Sequence, residues 1–194
     1  MDKKIPALII NGNLGAGKTV VGKIIAEKIS FTFLSSGNFF REEAATRGIT
    51  FDELHSLMIA DPSIDTKLDE RLKNFLSSSK GYVIDSRMAA FFEPRAFKVF
   101  LSVNPLVGAE RIFDDTQKNP LRHSEASAKT VSEVLAFNIR RAESEKIRYE
   151  ELYGFNHLDT SLYDIVLDTT HTTPEDLAKE KDNSTGMFLR DKLK

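Results

Sequence analysis

Residues 7–19 read Ala7-Leu8-Ile9-Ile10-Asn11-Gly12-Asn13-Leu14-Gly15-Ala16-Gly17-Lys18-Thr19. The second part of this segment matches the phosphate-loop pattern Gly-x-x-x-x-Gly-Lys-Ser/Thr at every specified position. Glycines have no Cβ, so backbone N–H groups can converge on phosphate oxygens, and the start of the following helix attracts the same anion. An apolar run before the loop and an amphipathic pattern after it predict a strand and a helix. We therefore expect an α/β fold that binds a nucleoside triphosphate.

The loop pattern assigns functions to individual side chains. Lys18 places a positive charge between the β- and γ-phosphates of ATP, and the hydroxyl of Thr19 is a ligand for Mg²⁺. The ATP-binding residues predicted in this segment are Gly12, Asn13, Leu14, Gly15, Ala16, Gly17, Lys18, Thr19 and Val20. ATP and Mg²⁺ are therefore the predicted cofactors.

Short apolar runs alternate along the chain with longer segments that have helical periodicity. The apolar runs are residues 7–10, 31–34, 82–84, 99–103 and 163–167, and the helical segments lie near residues 18–29, 37–47, 51–60, 63–78, 105–117, 129–152 and 174–181. The runs are continuously apolar, which is typical of strands that are covered on both faces of a parallel sheet. Alternation of strands and helices therefore predicts an α/β fold with a parallel sheet.

The composition of the 194 residues excludes several classes of protein. There is no Cys, which excludes disulfides, Cys-ligated zinc and thiol catalysis, and the four His residues show no metal-ligand spacing. The net charge of −2 argues against a general polyanion binder, so we expect no nucleic-acid partner. No apolar run approaches the ~20 residues that span a bilayer, so we expect a cytoplasmic protein without a membrane partner. A monomer is favoured over an oligomer.

Polar residues follow the second and third predicted strands. Ser36 and Gly37 open a helix that carries Arg41 one turn later, and Asp85 and Arg87 end the third strand. Ligands of open parallel sheets bind at the carboxyl ends of the strands, so we expect these residues to face the phosphate loop. Asp85 is a candidate for holding a Mg²⁺-bound water, and the two arginines are candidates for binding an acceptor phosphate. The alternative is a capped helix start and a capped turn with solvated arginines.

A charged stripe lies on the helix predicted at residues 129–152. Arg141, Ser144, Glu145 and Arg148 fall at i, i+3, i+4 and i+7. The stripe follows residues 114–128, a polar segment with the character of a mobile lid. Closure of that lid would bring the two arginines over a transferred phosphoryl group. The alternative is a solvated helix face held by ion pairs.

Together these motifs resemble those of one enzyme family. They are Gly12-x-x-Gly15-x-Gly17-Lys18-Thr19, Ser36-Gly37-x-x-x-Arg41, Asp61-Pro62-x-Ile64-Asp65, Arg141-x-x-Ser144-Glu145-x-x-Arg148-Tyr149, Tyr153-Gly154-Phe155-Asn156 and Asp159-x-Ser161-x-Tyr163-Asp164-x-Val166. The combination is similar to the archaeal-type (type 2) cytidylate kinases over nearly the whole chain. The Ser-Glu-x-x-Arg-Tyr and Asp-x-Ser-x-Tyr-Asp motifs are much more specific than the phosphate loop, which many enzymes share.

The resemblance implies a nucleoside monophosphate kinase fold with a five-stranded parallel core, and the reaction of ATP and CMP to ADP and CDP. It divides a single domain, residues 1–194, into a core (1–35, 80–112 and 152–181), an acceptor-binding region (36–79), a lid (113–151) and a polar tail (182–194). The implied catalytic residues are Lys18, Arg87, Arg141 and Arg148, and Arg111 is expected at the base of the lid near the adenine. The expected acceptor-binding residues are Ser36, Gly37, Arg41, Asp65 and Arg87, and the expected metal-binding residues are Thr19 and Asp85.

The residues that would recognise the acceptor base are a weaker prediction. Asp61 or Asp65 can accept a hydrogen bond from cytosine N4, and Lys67 or Arg71 can donate one, but the same pattern is typical of a salt-bridged helix. The sequence Asp85-Ser86-Arg87 stands where the family usually has Glu-Gly-Arg. Two other functions therefore stay open. One is a P-loop kinase for another small acceptor, either another nucleotide or a shikimate-like molecule, and the other is a nucleotide-binding protein without turnover.

Overall fold

The computed structural model describes residues 7–78, 81–118, 128–173 and 176–177. The strands are β1 (Ala7–Gly12), β2 (Thr32–Ser35), β3 (Tyr82–Asp85), β4 (Phe97–Ser102) and β5 (Ile165–Asp168). They form one parallel sheet of five strands in the order β2-β3-β1-β4-β5. The predicted fold class is therefore confirmed. Because the strands are parallel, the carboxyl ends of β1, β2 and β3 lie at the same edge of the sheet, next to the phosphate loop.

Seven helices connect and cover the strands in the described part of the chain. They are α1 (Lys18–Ile29), α2 (Gly37–Arg47), α3 (Phe51–Ala60), α4 (Ser63–Ser78), α5 (Ala89–Phe92), α6 (Pro105–Lys118) and α7 (Val131–Tyr153). Capping boxes start α3 at Thr50 and α7 at Thr130, and the helical periodicity predicted both starts to within two residues. The four-residue α5 was not predicted, because so short a helix shows no periodicity.

Several sequence predictions fall outside the described residues. They concern the amino-terminal residues 1–6, most of the polar segment (119–127) and the polar tail, and the helix predicted at 174–181 except for residues 176–177. None of the helices in the described ranges has the length and apolar character that a membrane crossing requires.

The core lies on both faces of the sheet, as the continuous apolar strands predict. On one face Ile9 belongs to a buried cluster with Leu72 of α4 and Tyr149 of α7. On the other face Leu8 packs in a cluster with Val21 of α1. A third apolar cluster joins α2, α3 and α4 and is formed by Ala44, Leu54, Met58, Ile64 and Leu68. The sheet is thus a rigid base for the loops at its carboxyl edge, and the third cluster holds the helices of residues 37–78 together beside it.

Candidate active site

The phosphate loop between β1 and α1 depends on glycines at two crowded positions. Gly12 has φ +143° and Gly15 has φ +80°, which is backbone conformation that favours glycine. A Cβ on Gly12 would lie 2.0 Å from the carbonyl oxygen of Leu101, and one on Gly15 would lie 2.2 Å from the carbonyl oxygen of Gly108. The loop is therefore wedged between the ends of β1 and β4 and the helix α6. Its glycines serve packing as well as phosphate binding.

Lys18 is folded back onto this loop. Its Nζ donates to the carbonyl oxygens of Gly12 at 2.9 Å and Asn13 at 2.7 Å. The residue is only 9% exposed, and burial lowers the pKa of its ammonium group to about 8. These contacts hold the ammonium group against the phosphate loop, and its predicted position between two phosphates stays a prediction.

Thr19 and Asp85 meet at the start of α1. The Thr19 hydroxyl donates to Oδ2 of Asp85 at 2.7 Å, and the Ser35 hydroxyl donates to the same oxygen at 3.3 Å. The carboxylate is buried at the end of β3, where register places it beside Ser35 of β2 and Ile10 of β1. Hydroxyl and carboxylate oxygens fit Mg²⁺, which typically takes one or two protein ligands and keeps water and phosphate oxygens. In the described ranges no group of three or more His, Cys, Asp or Glu residues can hold a metal, which agrees with so open a site.

Two arginines approach this position from different elements. Arg87 follows β3, and Arg141 lies on α7. Both contact the buried carboxylate of Glu145: Arg141 Nε donates to Oε1 at 2.8 Å, and Arg87 Nε forms an ion pair with Oε2. Burial by itself would raise the pKa of Glu145, but the charges of both arginines lower it below its usual range. Glu145 is therefore ionised at neutral pH.

A cleft of about 930 Å³ joins these groups. Its volume is within the range of ligand pockets, roughly 300–1,000 Å³. The predicted site residues that line it are Leu14, Gly15, Gly17, Lys18, Thr19, Val20, Ser36, Gly37, Arg41, Asp85, Arg87, Arg111 and Arg141. Of the loop residues that do not line it, Gly12 and Ala16 are buried, and Asn13 carries the carbonyl that Lys18 contacts. The phosphate loop and five arginines (Arg41, Arg87, Arg111, Arg140 and Arg141) thus border one space.

Several known proteins are similar in sequence to this chain. Residues 12–127 match the AAA domain family. A cytidylate kinase from Methanococcoides burtonii is 32% identical over 184 residues, which cover 93% of this chain and 99% of that protein. A cytidylate kinase from Natronomonas pharaonis is 30% identical over 187 residues, covering 95% and 91%. This chain belongs to the cytidylate kinase family.

Solved structures agree with that membership at the level of the fold. A shikimate kinase from Acinetobacter baumannii superposes with a TM-score of 0.57 at 20% identity, covering 98% of this chain and 96% of that one. The likeness shows a shared P-loop kinase fold, and at this identity nothing about the acceptor. The predicted resemblance is confirmed, and with it the prediction of a nucleoside monophosphate kinase.

Arg111 joins α6 to the segment after β5 in this member of the cytidylate kinase family. One Nη atom donates to the carbonyl oxygens of Thr169 at 2.8 Å and Thr170 at 3.3 Å. The side chain also lines the cleft on the side of α6. This placement is compatible with the expected position beside the adenine, which stays a prediction.

Asp65 and Arg148 lie away from the cleft, contrary to the expectation that one binds the acceptor and the other contacts the transferred group. Arg148 Nε donates to Asp65 Oδ2 at 2.9 Å, and Nη1 donates to the hydroxyl of Ser144 at 2.7 Å. The side chains are 7% and 1% exposed, and neither lines the cleft. The physical reason is that α7 packs against α4, so the stripe continues from the cleft at Arg141 into the interior at Arg148. In this arrangement the two side chains pair with each other in the interior instead of lining the cleft.

The other residues predicted to recognise the acceptor base also lie outside the cleft. Lys67 forms an ion pair with Glu43 at 3.2 Å, and Arg71 forms one with Glu42 at 2.7 Å. Asp61 is exposed at the end of α3. None of these three lines the cleft. The salt-bridged alternative therefore describes α4 better, although its partners lie on α2 rather than on the same helix.

Some residues that were not predicted also line the cleft. Phe51, Asp52 and Ser56 of α3 are among them. The guanidinium carbons of Arg41 and Arg141 lie 5.7 and 4.7 Å from the centre of the Phe51 ring, which is cation–π distance. The capping box at residue 50 shows where α3 begins, but no signal in the sequence shows which face of so short a helix turns toward the phosphate loop.

Proposed function

We propose that the protein transfers the γ-phosphoryl group of ATP to CMP or dCMP. The observation that carries this proposal is the single cleft in which Lys18 and the phosphate loop face Arg41, Arg87 and Arg141. One anionic group fits the loop, and a second fits the arginines across from it. The similarity to cytidylate kinases over nearly the full length supports the identity of the acceptor.

The chain's own residues supply position and positive charge. The second pKa of a phosphate monoester is near ~6, so the attacking oxygen of the acceptor is already mostly ionised at pH 7. Catalysis then consists of holding two phosphates in line and offsetting their mutual repulsion. Lys18 moves its charge from the loop carbonyls to the donor phosphates, and Arg87 and Arg141 stabilise the charge on the transferred group.

Thr19 and Asp85 are the residues that we propose hold Mg²⁺. When bound, Mg²⁺ would neutralise part of the charge on the donor phosphates. Asp85 reaches this position because it ends β3 beside the loop, and Thr19 because it is the second residue of α1. Ser36, Gly37 and Arg41, at the start of α2, are the proposed contacts of the acceptor phosphate.

A coupled assay of ADP release tests the acceptor. The purified protein is given ATP and Mg²⁺ with CMP, dCMP, UMP, AMP, GMP or dTMP in turn. We expect the highest kcat/KM with CMP or dCMP. A higher value with a purine monophosphate would overturn the specificity, and no turnover with any acceptor would leave a nucleotide-binding protein. The expected monomer, the absence of nucleic-acid partners and the cytoplasmic location stay predictions.

A further inference from the structure

Glu145 lies behind the arginines of the cleft, on the inner face of α7. Its side chain is 3% exposed, and it does not line the cleft that Arg87 and Arg141 line. Its two carboxylate oxygens are divided between these arginines, one to each, and in both cases the contact is made with Nε. A single buried carboxylate therefore holds two side chains that come from separate elements.

The charges at this position decide what Glu145 can do. Two guanidinium groups side by side repel each other, and the carboxylate between them offsets that repulsion. Because the arginines keep its pKa below the usual range, Glu145 carries no proton at neutral pH. Both of its oxygens already form ion pairs with arginines. Glu145 is therefore poorly suited to accept or donate a proton.

The geometry of the contacts leaves the arginines able to bind an anion. A guanidinium is planar and has five N–H donors in a fixed fork, of which an Nε contact uses one. Both arginines also line the cleft, so each side chain lies between Glu145 and that space. Because the same carboxylate contacts both, the positions of Arg87 and Arg141 are linked through Glu145.

A small cavity beside Glu145 leaves little room at the carboxylate. Its volume is about 30 Å³, and Glu145, His55, Tyr149 and both arginines are among the residues that line it. That is room for about one water molecule. Burial lowers the pKa of His55 to about 2, so this wall of the cavity is neutral and adds no further cation.

We propose that Glu145 is a positioning residue for phosphoryl transfer. It holds Arg87 and Arg141 next to each other, at an orientation in which both face the phosphate groups in the cleft. It acts through the arginines and touches neither substrate. This assignment rests on the proposed function, because it needs an anionic acceptor opposite the phosphate loop.

The substitution Glu145→Gln tests the assignment, since it keeps the shape of the side chain and removes its charge. We expect kcat/KM for CMP to fall by about 10²-fold, the loss that a misplacement of about 1 Å can cause. The Kd of ATP, measured by calorimetry, is expected to change by less than about threefold, because the donor side is held by the phosphate loop. Glu150→Gln is the matched control: Glu150 is exposed on the same helix and 4.0 Å from Lys146, and all constants are expected to stay at wild-type values.

A double-mutant cycle separates a positioning residue from a structural one. If Glu145 acts through the arginines, Glu145→Gln costs much less in kcat/KM when Arg141 is already alanine than in the wild type. Equal costs in the two backgrounds would overturn the proposal. If Glu145→Gln does not fold, Glu145→Asp carries the test: it keeps the charge, is shorter by one methylene, and is expected to lose about tenfold in kcat/KM because it cannot reach both arginines. Full activity of that variant would overturn the proposal as well.

The wild-type protein is measured first, so that the two proposals fail in different ways. A wild type without turnover on any monophosphate would overturn the proposed function and this inference with it. An active wild type whose Glu145→Gln variant keeps its kcat/KM for CMP would overturn the inference alone.

Discussion

Lys18 places a buried positive charge directly against the phosphate loop. Its Nζ donates to two carbonyl oxygens of the loop that precedes it. Burial makes this charge costly, which is why the pKa of Lys18 is lowered. In the proposed complex an incoming phosphate would replace neutral carbonyl oxygens by charged ones and so relieve the cost. On that proposal the same side chain would contribute to both affinity and rate.

Lys18→Ala is expected to lower kcat by about 10²–10³-fold while the fold survives. Loss of one preorganised charged donor costs about 10²–10³ in kcat, and the loss of the two carbonyl contacts costs stability only about 1 kcal/mol per bond. Steady-state kinetics and thermal unfolding without ligand measure the two effects. Lys23→Ala, an exposed lysine on the same helix, is the control and should leave both unchanged. A variant that unfolds far more easily than the wild type would show a structural function for Lys18 instead.

The affinity for ATP is expected to weaken as the pH rises through about 8. Lys18 in the free protein loses its proton near that pH, whereas phosphate charges favour the protonated form, so binding takes up a proton at higher pH. The Kd of ATP should then increase by up to tenfold per pH unit above 8, measured by calorimetry between pH 7 and 9.5. Lys18→Arg keeps its charge over this range and should flatten the profile. A wild-type Kd that is independent of pH would contradict the lowered pKa.

Secondary elements were predictable because their signals are local. Continuous apolar runs mark the buried strands, and Thr50 and Thr130 with their glutamates three residues later mark two helix starts. The position of Asp85 and Arg87 beside the phosphate loop was predictable too, because it follows from parallel pairing at the carboxyl edge. The contact between α6 and the loop was not predictable, since Gly108 lies far from the motif in sequence.

Gly108→Ala tests that contact between elements. A Cβ at Gly108 would lie 2.5 Å from the carbonyl oxygen of Leu14 and 3.2 Å from Val103. Alanine favours a helix by about 1 kcal/mol over glycine, but overpacking against a backbone carbonyl typically costs about 1–3 kcal/mol. We expect α6 to move away from the loop, with a Kd for ATP raised about tenfold, the equivalent of 1.4 kcal/mol. Calorimetry measures it.

Glu110→Ala is the matched control for this prediction, because Glu110 is an exposed position of α6. Its Kd for ATP should equal that of the wild type. If Gly108→Ala binds ATP normally and melts at a higher temperature, the loop and the helix adjust to the added methyl group without cost, and the close approach has no function.

At the scale of the whole molecule, polar contacts in the described residues join α4 to α7. Asp65 pairs with Arg148, and Asp69 accepts a hydrogen bond from the Tyr153 hydroxyl at 2.7 Å. The helical spacing of the charged stripe could not predict these contacts. A period of 3.6 residues shows which residues share one face of a helix, but not how deeply each of them is buried. Arg141 and Arg148 share a face, yet one lines the cleft and the other is in the interior. The burial of each position depends on how α4 packs against α7. The paired residues Asp65 and Arg148 are 83 residues apart in the sequence.

Arg148→Ala is therefore expected to lower the stability of the protein rather than its kcat. The substitution leaves Asp65 buried without its partner, and breaking a buried ion pair in this way costs about 3–5 kcal/mol of unfolding free energy. Burial already raises the pKa of Asp65, so the unpaired carboxyl will take up a proton at a still higher pH. Urea unfolding measures the loss of stability, and kcat is measured at a temperature where the variant is folded.

Two further variants decide between a structural and a catalytic function of this pair. Replacing both partners, as in Asp65→Leu with Arg148→Met, should recover much of the lost stability, because no buried charge is left alone. Arg141→Ala should give the opposite pattern: a loss in kcat of the order of ~10³, with a smaller loss of stability because Arg87 still pairs with Glu145. If instead Arg148→Ala is stable and its kcat falls by orders of magnitude, Arg148 leaves Asp65 during the reaction, and α7 must turn when the substrates bind.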